Sequence, residues 1–323
     1  PVAVEAGEII QKTYDATDKV AEGLIKNNNY VFTKVNGVAE SGIVDGDDMS
    51  LNFDLTQSKF GRINVLDENG KNSLIDVTAV LTAENSISND NYILSFADNK
   101  IILKGQIVPA TADIRFYSDK EHKNLISIRH EVTYDSEKHP VEAMVRGVLL
   151  TDGTYEEVTH TLVYICDAIH YNSTEAPSLA ETYQVQLTVT DTNYVSSQKS
   201  VELIIHKAEV DIVFGGDIVQ VYGAVDGGLT AKAMKDFKNS RFSSDLTVNY
   251  YDGDGNYVSD IRVADAGEYT AVAEFGGNAN FDAKRGETAF TIKRRETRAT
   301  FNMHSGYPYT GKEVSVDVYF DYN

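Results

Sequence analysis

Three oxygen-bearing side chains at alternate positions, Asp252, Asp254 and Asn256, have the types and spacing of calcium ligands. They match the first, third and fifth positions of a calcium-binding loop. Such loops need Gly at the sixth position and a bidentate Glu at the twelfth, but this chain has Tyr257 and Val263 there. The segment is therefore interpreted as a hairpin tip, and the three residues are kept as weak metal candidates.

Sugar binding is a second chemistry that the sequence permits. Sugar-binding β-modules stack pyranose rings on exposed aromatic side chains, most often Trp, and this chain has no Trp. Tyr250, Tyr251 and Tyr257, which flank the acidic hairpin, are the ligand-binding candidates. Because successive residues of a strand face opposite sides of a sheet, one of Tyr250 and Tyr251 should point away from the core. The alternative is that these tyrosines are ordinary solvated strand residues.

Catalytic motifs are absent from the sequence, which has no Gly-x-Ser-x-Gly, His-Glu-x-x-His, Walker loop or Gly-x-Gly-x-x-Gly. The single cysteine, Cys166, lies in an apolar run and is expected to be a small buried side chain. Six of the seven histidines lie between His122 and His206, but none of them are two or four residues apart, so they predict no zinc site. We therefore expect no catalytic residues and no cofactor.

Three lysines are placed where a covalent cross-link is chemically feasible. Lys12, Lys207 and Lys293 lie at the ends of expected strands. Lys–Asn or Lys–Asp pairs in surface β-sandwiches can form intramolecular isopeptide bonds. An intact mass equal to that of the unmodified sequence would exclude such a bond.

The elements that must position these residues are β-strands. Apolar and polar residues alternate in runs such as 74–81, which predicts strands with one buried face. The pair Asn69-Gly70 predicts a turn. Helical patterns are weak, and segments 16–24 and 229–237 are expected to be at most one- or two-turn excursions between strands.

A phrase of residues recurs along the chain in a fixed order. A tyrosine turn is followed by an Ala-x-x-Tyr phrase, an Asn-aromatic turn and a closing apolar strand. The turn tyrosines Tyr134 and Tyr222 lie 88 residues apart, and the second tyrosines, Tyr183 and Tyr269, lie 86 apart. A further copy begins at Tyr307-Pro-Tyr-Thr-Gly311. The chain is therefore predicted to be part of a tandem array.

Short strands at regular spacing, separated by turn signals, predict an all-β array of immunoglobulin-like β-sandwich modules. The predicted modules are 1–110, 111–208 and 209–296, and 297–323 starts a truncated further repeat. No Gly/Ser-rich or Pro-rich linker separates them. Because short joints limit the angles between neighbouring domains, we expect a semi-rigid, monomeric, elongated rod.

The recurring phrases resemble those of known bacterial repeat families. Residues 111–208 and 209–296 resemble MBG-type immunoglobulin-like repeats, and 1–110 resembles the companion YDG-type repeat. Ala16 and Glu181 stand where these families favour Gly. The resemblance implies display on a secreted or wall-attached bacterial protein, without catalysis. The matching phrases are Lys12-Thr-Tyr-Asp-Ala-Thr17, Asn91-Tyr92, Thr133-Tyr-Asp135, Ala180-Glu-Thr-Tyr183, Asn193-Tyr194, Ile204-Ile-His-Lys207, Tyr222-Gly223, Ala266-Gly-Glu-Tyr269, Asn280-Phe281 and Thr291-Ile-Lys293.

The repeated residues are expected to form a framework and to bind no ligand. Gly267 would permit a positive φ at a corner. Tyr269 would bury its ring while its hydroxyl bonds a backbone group, as in a tyrosine corner. Asn193 and Asn280 would bond the backbone locally in their turns.

Charge narrows the possible partners. The chain has 29 Lys and Arg against 49 Asp and Glu, a formal net charge of −20. Nucleic-acid binding needs clustered cations, so it is not expected, and no apolar run is long enough to insert in a membrane. We expect a stalk or adhesive segment. The alternative is a module that binds a glycan or a host or bacterial surface protein, through exposed tyrosines and the non-repeating segment 149–170.

Overall fold

The computed structural model describes residues 1–82, 87–94, 98–301, 309, 311–313 and 318–321, and almost all of its regular structure is β. Short 3₁₀ helices in this part of the chain span Asn27–Asn29, Asp167–Ile169 and Ile261–Val263. No helix in the described residues is long and apolar enough to cross a membrane.

The strands are β1 (Ala3–Ala6), β2 (Ile10–Thr13), β3 (Tyr30–Thr33), β4 (Lys59–Phe60), β5 (Ile75–Val80), β6 (Lys100–Val108), β7 (Asp113–Tyr117), β8 (Leu125–Ile126), β9 (Arg129–Thr133), β10 (Glu142–Leu149), β11 (Tyr155–Glu157), β12 (His160–Cys166), β13 (Tyr171–Ser173), β14 (Thr182–Val189), β15 (Gln198–His206), β16 (Asp211–Gly215), β17 (Val219–Val221), β18 (Thr230–Asp236), β19 (Arg241–Leu246), β20 (Val248–Tyr251), β21 (Tyr257–Val258), β22 (Gly267–Phe275), β23 (Lys284–Lys293), β24 (Arg298–Phe301) and β25 (Val318–Asp321).

The first compact unit comprises Pro1–His130, His139–Pro177 and Thr182–Ile204. The sheets formed by strands β1 to β15 have the orders β1-β3, β2-β6-β5-β4, β11-β10-β7-β8 and β13-β12-β14-β15-β9. Strand β2 pairs with β6 in parallel. The largest fully buried side chains of this unit include Ile10, Phe60, Leu103, Ile107, Phe116, Tyr183, Leu187 and Leu203.

The second compact unit comprises Glu131–Lys138, Ser178–Glu181 and Ile205–Asn323. Its sheets have the orders β16-β18-β19, β17-β23-β22-β20-β21 and β24-β25, and β17 pairs with β23 in parallel. One core cluster is built on Tyr250, Phe290 and Ile292, and another on Phe275 and Phe281.

Residue alternation explains why these segments are strands. In β14, Tyr183, Val185 and Leu187 are fully buried, while Gln184 and Gln186 between them are not. Period-two burial on one face of each sheet is the pattern of a β-sandwich. The fold class predicted from the sequence is therefore confirmed: the chain is all-β, with immunoglobulin-like β-sandwich modules in tandem. The module boundaries at 110, 208 and 296 stay a prediction.

Local expectations have mixed outcomes. The turn at Asn69-Gly70 is confirmed, because the Gly70 N–H donates to the Asp67 carbonyl at 2.9 Å. The expectation of a helical excursion at 229–237 is wrong, since β18 pairs there with β16 and β19. Lys and Met at alternate positions favour helix intrinsically, but Ala231 and Ala233 alternate inward and are buried. Burial on a pleated sheet outweighs weak helix propensity.

Gly267 does not adopt the positive φ expected of it. It lies at the start of β22, and its backbone is not in the left-handed region. Tyr269, in contrast, makes the expected hydroxyl-to-backbone bond, donating to the Asp265 carbonyl at 2.7 Å, but its ring is only half-buried and not buried as predicted. The corner is held by this hydrogen bond and needs no left-handed glycine.

Candidate functional site

The three turn tyrosines occupy equivalent backbone positions. Each donates its N–H to the carbonyl of the last residue of a closing strand. Tyr14 and Tyr222 follow strands that pair in parallel with that closing strand. The pairs are Tyr14 to Val108 at 2.9 Å, Tyr134 to His206 at 2.8 Å and Tyr222 to Lys293 at 2.9 Å. The sequence repeat is therefore also a structural repeat, and it supplies a common register for comparing the copies.

An alanine follows two residues after Val108 and another two residues after His206, and each alanine pairs with an Asn-aromatic turn. Ala110 donates to the Asn193 carbonyl at 3.0 Å and accepts from Val195 at 2.8 Å. Ala208 donates to the Asn280 carbonyl and accepts from Asp282, both at 3.0 Å. We call each set of turn tyrosine, alanine and Asn-aromatic turn a tyrosine joint. The first joint lies within the first unit, and the second lies within the second unit.

The asparagine side chains do not bond the backbone locally, so that expectation is wrong. Asn193 Oδ1 accepts from the N–H of Val65 at 3.0 Å, and Asn280 Oδ1 accepts from that of Ala180 at 3.0 Å. Each amide oxygen therefore satisfies an N–H about one module earlier in the chain. Leaving such a donor unsatisfied costs about 1–3 kcal/mol when it is buried.

The local bonds of these turns come from the residue two positions before each asparagine. Asp191 Oδ1 accepts from the Asn193 N–H at 2.9 Å, and Asn278 Oδ1 accepts from the Asn280 N–H at 2.9 Å. These bonds fix the turn and leave the side chain of each joint asparagine available for its distant partner.

The first joint buries two tyrosine rings against a shared carboxylate. Tyr14 and Tyr194 pack edge to face with centroids 5.6 Å apart. Glu156 Oε1 accepts from the Tyr14 hydroxyl at 2.8 Å, and Glu156 Oε2 accepts from the Tyr194 hydroxyl. The Tyr194 oxygen also accepts from the Val148 N–H at 2.9 Å. Burial, and then the adjacent Glu156, raise the pKa of both tyrosines above the ordinary value.

The second joint replaces this polar bridge with aromatic packing. Tyr134 packs edge to face on Phe237 at 5.6 Å and on Phe281 at 5.4 Å. Phe242 stacks on Phe281 with centroids 4.2 Å apart. Phe281 is 3 % exposed, so the aromatic residue of the turn is a core residue of the joint. Edge-to-face pairs of this kind contribute about 0.5–1.5 kcal/mol beyond their area.

Polar contacts lie at the rim of the second joint. Asn239 donates to the Glu137 carboxylate at 2.8 Å, and the Ser136 and Ser240 hydroxyls are 2.6 Å apart. These groups are exposed, so each contributes little alone.

Lys12 stabilises the turn that follows Tyr14. Its side chain is 4 % exposed, and its ammonium donates to the carbonyls of Thr17 and Lys19 at 2.7 and 2.9 Å. It also pairs with Asp15 at 2.8 Å. The other two lysines singled out from the sequence, Lys207 and Lys293, are exposed. The isopeptide cross-link stays a prediction.

The predicted ligand-binding tyrosines separate into one core residue and one ring pair. Tyr250 is 5 % exposed, and its hydroxyl accepts from the Leu229 N–H, so its ring face is closed to a ligand. Tyr251 is half-buried and packs against Tyr257 with centroids 5.9 Å apart, and Tyr257 is 60 % exposed. In the further copy of the repeat, Tyr309 is exposed and Tyr307 lies outside the described residues.

The acidic loop is a hairpin tip, as expected, joining β20 to β21. Asp252 Oδ1 accepts from the N–H groups of Asp254 and Asn256 at 3.0 and 2.8 Å, and these bonds lower the pKa of Asp252. The Asn256 amide also donates to this carboxylate. The Asp252 oxygens therefore serve the turn itself. Over the part of the chain that the structure describes, no three His, Cys, Asp or Glu side chains converge as metal ligands.

Sequence reasoning missed Glu156, Val65 and the small residue that Tyr194 requires. Glu156 lies in the segment 149–170 that does not repeat, so no spacing identified it. Gly147 in β10 lies so close to Tyr194 that an added Cβ would stand 2.1 Å from the hydroxyl. Cys166 is buried, as predicted.

Comparisons with known proteins identify no family. No protein-family model matches the chain, and no curated protein matches it. Among solved structures, it is similar to protocadherin gamma B2 extracellular cadherin domains 1–5, with 10 % identity and a TM-score of 0.22 over 93 % of this chain. This chain spans only 61 % of that structure's length.

Two further solved structures show the same level of similarity. Drosophila N-cadherin EC1–4 has 11 % identity and a TM-score of 0.24, with 92 % of this chain and 76 % of that chain covered. Human CDH23 EC21–23 has 13 % identity and a TM-score of 0.23, with 68 % and 73 % covered. TM-scores this low carry no argument about function.

Proposed function

We propose that this chain is a non-catalytic extracellular repeat region that serves as a semi-rigid stalk or adhesive segment of a bacterial surface or secreted protein. The observation that carries the proposal is the pair of tyrosine joints. Two of the repeated turn tyrosines, Tyr14 and Tyr134, and the turns at Asn193 and Asn280 make their contacts at these joints. The resemblance to MBG-type and YDG-type repeats supports the extracellular and bacterial part of the proposal.

The joints are suited to limiting motion between consecutive modules. Each combines a pair of backbone hydrogen bonds to an alanine, a hydrogen bond that an asparagine side chain accepts and an aromatic contact with a buried ring. Because these three contacts hold the Asn-aromatic turn against the turn tyrosine and the alanine, few backbone bonds between them can rotate freely. A chain whose joints resist bending can hold another segment at a distance, which is what a stalk requires.

Small-angle scattering of the full chain tests the stalk. We expect a long maximum dimension for the parent chain. The variant Tyr134→Ala/Asn280→Ala removes the ring and the amide oxygen of the second joint, so its scattering should fit a broad range of conformations with different maximum dimensions. The matched control Tyr257→Ala removes an exposed ring outside the joints and should leave the scattering unchanged. Scattering by a compact globule would refute the stalk.

A second candidate function is glycan or protein binding at the pair Tyr251 and Tyr257. The favouring observation is that two rings meet at a hairpin tip with one of them largely exposed. A glycan array tests it: reproducible binding should be lost in Tyr257→Ala. The control Tyr155→Ala removes another exposed tyrosine, 54 % exposed, on β11. Binding that both variants retain would remove this candidate.

A further inference from the structure

The second unit contains a groove that stands where a third tyrosine joint would form. It is an open depression of about 460 Å³ lined by Tyr222, Ala266, Arg294, Arg295 and Thr297, among others, and we call it the Tyr222 groove. We propose that it binds the Asn-aromatic turn of another β-sandwich module of this same repeat. The inference rests on the proposed function and names the partner of this surface.

The register of the repeat shows that the groove is equivalent to the two joints. The Tyr222 N–H donates to Lys293, just as the other turn tyrosines donate to their closing strands. Two residues beyond Lys293 lies Arg295, at the position of the joint alanines. Three residues further the next strand begins, at Arg298 in β24 as at Asp113 in β7 and Asp211 in β16.

The backbone donor of the joint also has an equivalent here. In the second joint, the Ala180 N–H donates to Asn280 Oδ1. Ala180 begins the Ala-x-x-Tyr phrase, and Ala266 begins the next copy of that phrase. Ala266 lines the Tyr222 groove. The groove therefore presents, at matching positions, the ring, the backbone segment after the closing strand and the donor loop with which this chain holds an Asn-aromatic turn elsewhere.

The turn tyrosines are less exposed where an Asn-aromatic turn packs against them. Tyr14, packed against Tyr194, is 4 % exposed, and Tyr134, packed against Phe281, is half-buried. Tyr222 is 45 % exposed. Covering an aromatic ring that lies beside a backbone donor with an aromatic turn lowers the free energy, because apolar surface is buried and the rings pack together.

Charge supports the same occupant. The groove is lined by two cations, Arg294 and Arg295, and one acid, Asp265, in a chain whose net charge is −20. Both Asn-aromatic turns carry a neighbouring acid, Asp191 before one and Asp282 after the other. A turn of this repeat would therefore bring a carboxylate toward the arginines.

The test uses the full chain with one repeat duplicated. A second copy of residues 209–295 is inserted directly after Arg295, so that 296–323 follow the inserted copy as they followed the original. 3-Fluorotyrosine is incorporated only at position 222 of the original copy. The ¹⁹F resonance, recorded in H₂O and in D₂O, reports the solvent exposure of that ring.

We expect the duplicated chain to shift the resonance of position 222 and to lose half or more of its solvent isotope effect. Phe281→Ala in the inserted copy should restore both, and fluorotyrosine at Tyr257 should not respond to the duplication. A resonance at position 222 that matches that of the unduplicated chain would overturn the proposal. An inserted copy that stays unfolded counts against it too, because a partner repeat has to fold on this groove.

A reference measurement separates the failure of this inference from failure of the proposed function. Fluorotyrosine at position 134 of the unduplicated chain should become more exposed in Phe281→Ala. If position 134 responds and position 222 does not, the joints stand and the groove has no such partner. If neither responds, the joints themselves fail, and the stalk fails with them.

Discussion

Tyr14 and Tyr194 are the residues at which burial and charge act together. Their hydroxyls share the Glu156 carboxylate, and both phenols have a pKa raised above the ordinary value, first by burial and then by Glu156. A neutral phenol can donate to a carboxylate, whereas a phenolate would repel it. The first joint is therefore built for the protonated form of both tyrosines.

The raised pKa of Tyr14 predicts a loss of stability at alkaline pH. Below the unfolded-state pKa of about 10, the phenol is neutral in both states and its contribution is complete. As the pH rises from there toward the folded-state pKa, the unfolded chain releases the proton first and stability falls. Each such tyrosine contributes a slope of up to ~1.4 kcal/mol per pH unit.

Denaturant unfolding at several pH values between about 9 and 11 measures this slope. Tyr14→Phe should reduce the loss of stability above pH 10, because one titrating group is gone, while Tyr257→Phe at an exposed ring should not. An alkaline slope that is equal in Tyr14→Phe and in the parent chain would contradict the assignment.

Ala16 is a residue whose backbone conformation favours glycine. It lies two residues after Tyr14 with φ of 59°, in the left-handed region. An L-residue pays about 1–2 kcal/mol there, and glycine loses about 0.5–1 kcal/mol of chain entropy. Ala16→Gly should therefore stabilise the first unit by about 0.5–1 kcal/mol.

The matched control for Ala16→Gly is Ala6→Gly, an exposed position in β1 without a positive φ. That substitution should destabilise by about 0.5–1 kcal/mol. Unfolding midpoints of the two variants measure the contrast. A destabilised Ala16→Gly would show that the turn gains nothing from glycine.

At the scale of the element, strand β10 has to pass close to the Tyr194 ring of the first tyrosine joint. Gly147 lies in β10, and a Cβ there would stand 2.1 Å from the Tyr194 hydroxyl. Gly147→Ala must displace Tyr194 and with it the bond from Val148, so we expect a loss of about 1–3 kcal/mol. The control Gly253→Ala has open space around its Cβ and should be nearly neutral.

A double variant makes the Gly147 test specific. Tyr194→Phe removes the nearest clashing atom, so Gly147→Ala should cost less in a Tyr194→Phe background than in the parent chain. Denaturant unfolding of the four proteins gives the coupling free energy. Additive effects of the two substitutions would mean that the strand and the ring do not constrain each other.

The elements show which information a single sequence carries. The alternation of buried and exposed residues in β14 and the turn at Asp252 each depend on a few neighbouring residues, so the strand and the turn could be predicted. The joints depend on pairs such as Asn193 with Val65, which are 128 residues apart. A repeat reveals that Asn193 and Asn280 are equivalent, but it does not say what they bond. Glu156, which occurs in one copy only, leaves no signal at all.

At the scale of the whole molecule, the net charge of −20 opposes the compact state. Like charges are closer together in a folded chain than in an unfolded one, so their repulsion favours unfolding. Ion pairs between exposed groups, such as Lys232 with Asp245 at 3.1 Å, stabilise the fold only slightly, so screening them by salt costs little stability. Screening should therefore relieve more repulsion than attraction.

Raising the salt concentration from about 0.01 to 0.1 M shortens the Debye length from about 30 to about 10 Å, so the thermal midpoint should rise, by about 2–4 °C for each 1 kcal/mol of repulsion relieved. Calorimetry at both concentrations measures the shift. The variant Glu22→Gln/Glu121→Gln/Glu296→Gln lowers the negative charge at three exposed positions, so its midpoint should start higher and rise less. A midpoint that falls with salt would show that specific ion pairs outweigh the repulsion of the whole chain.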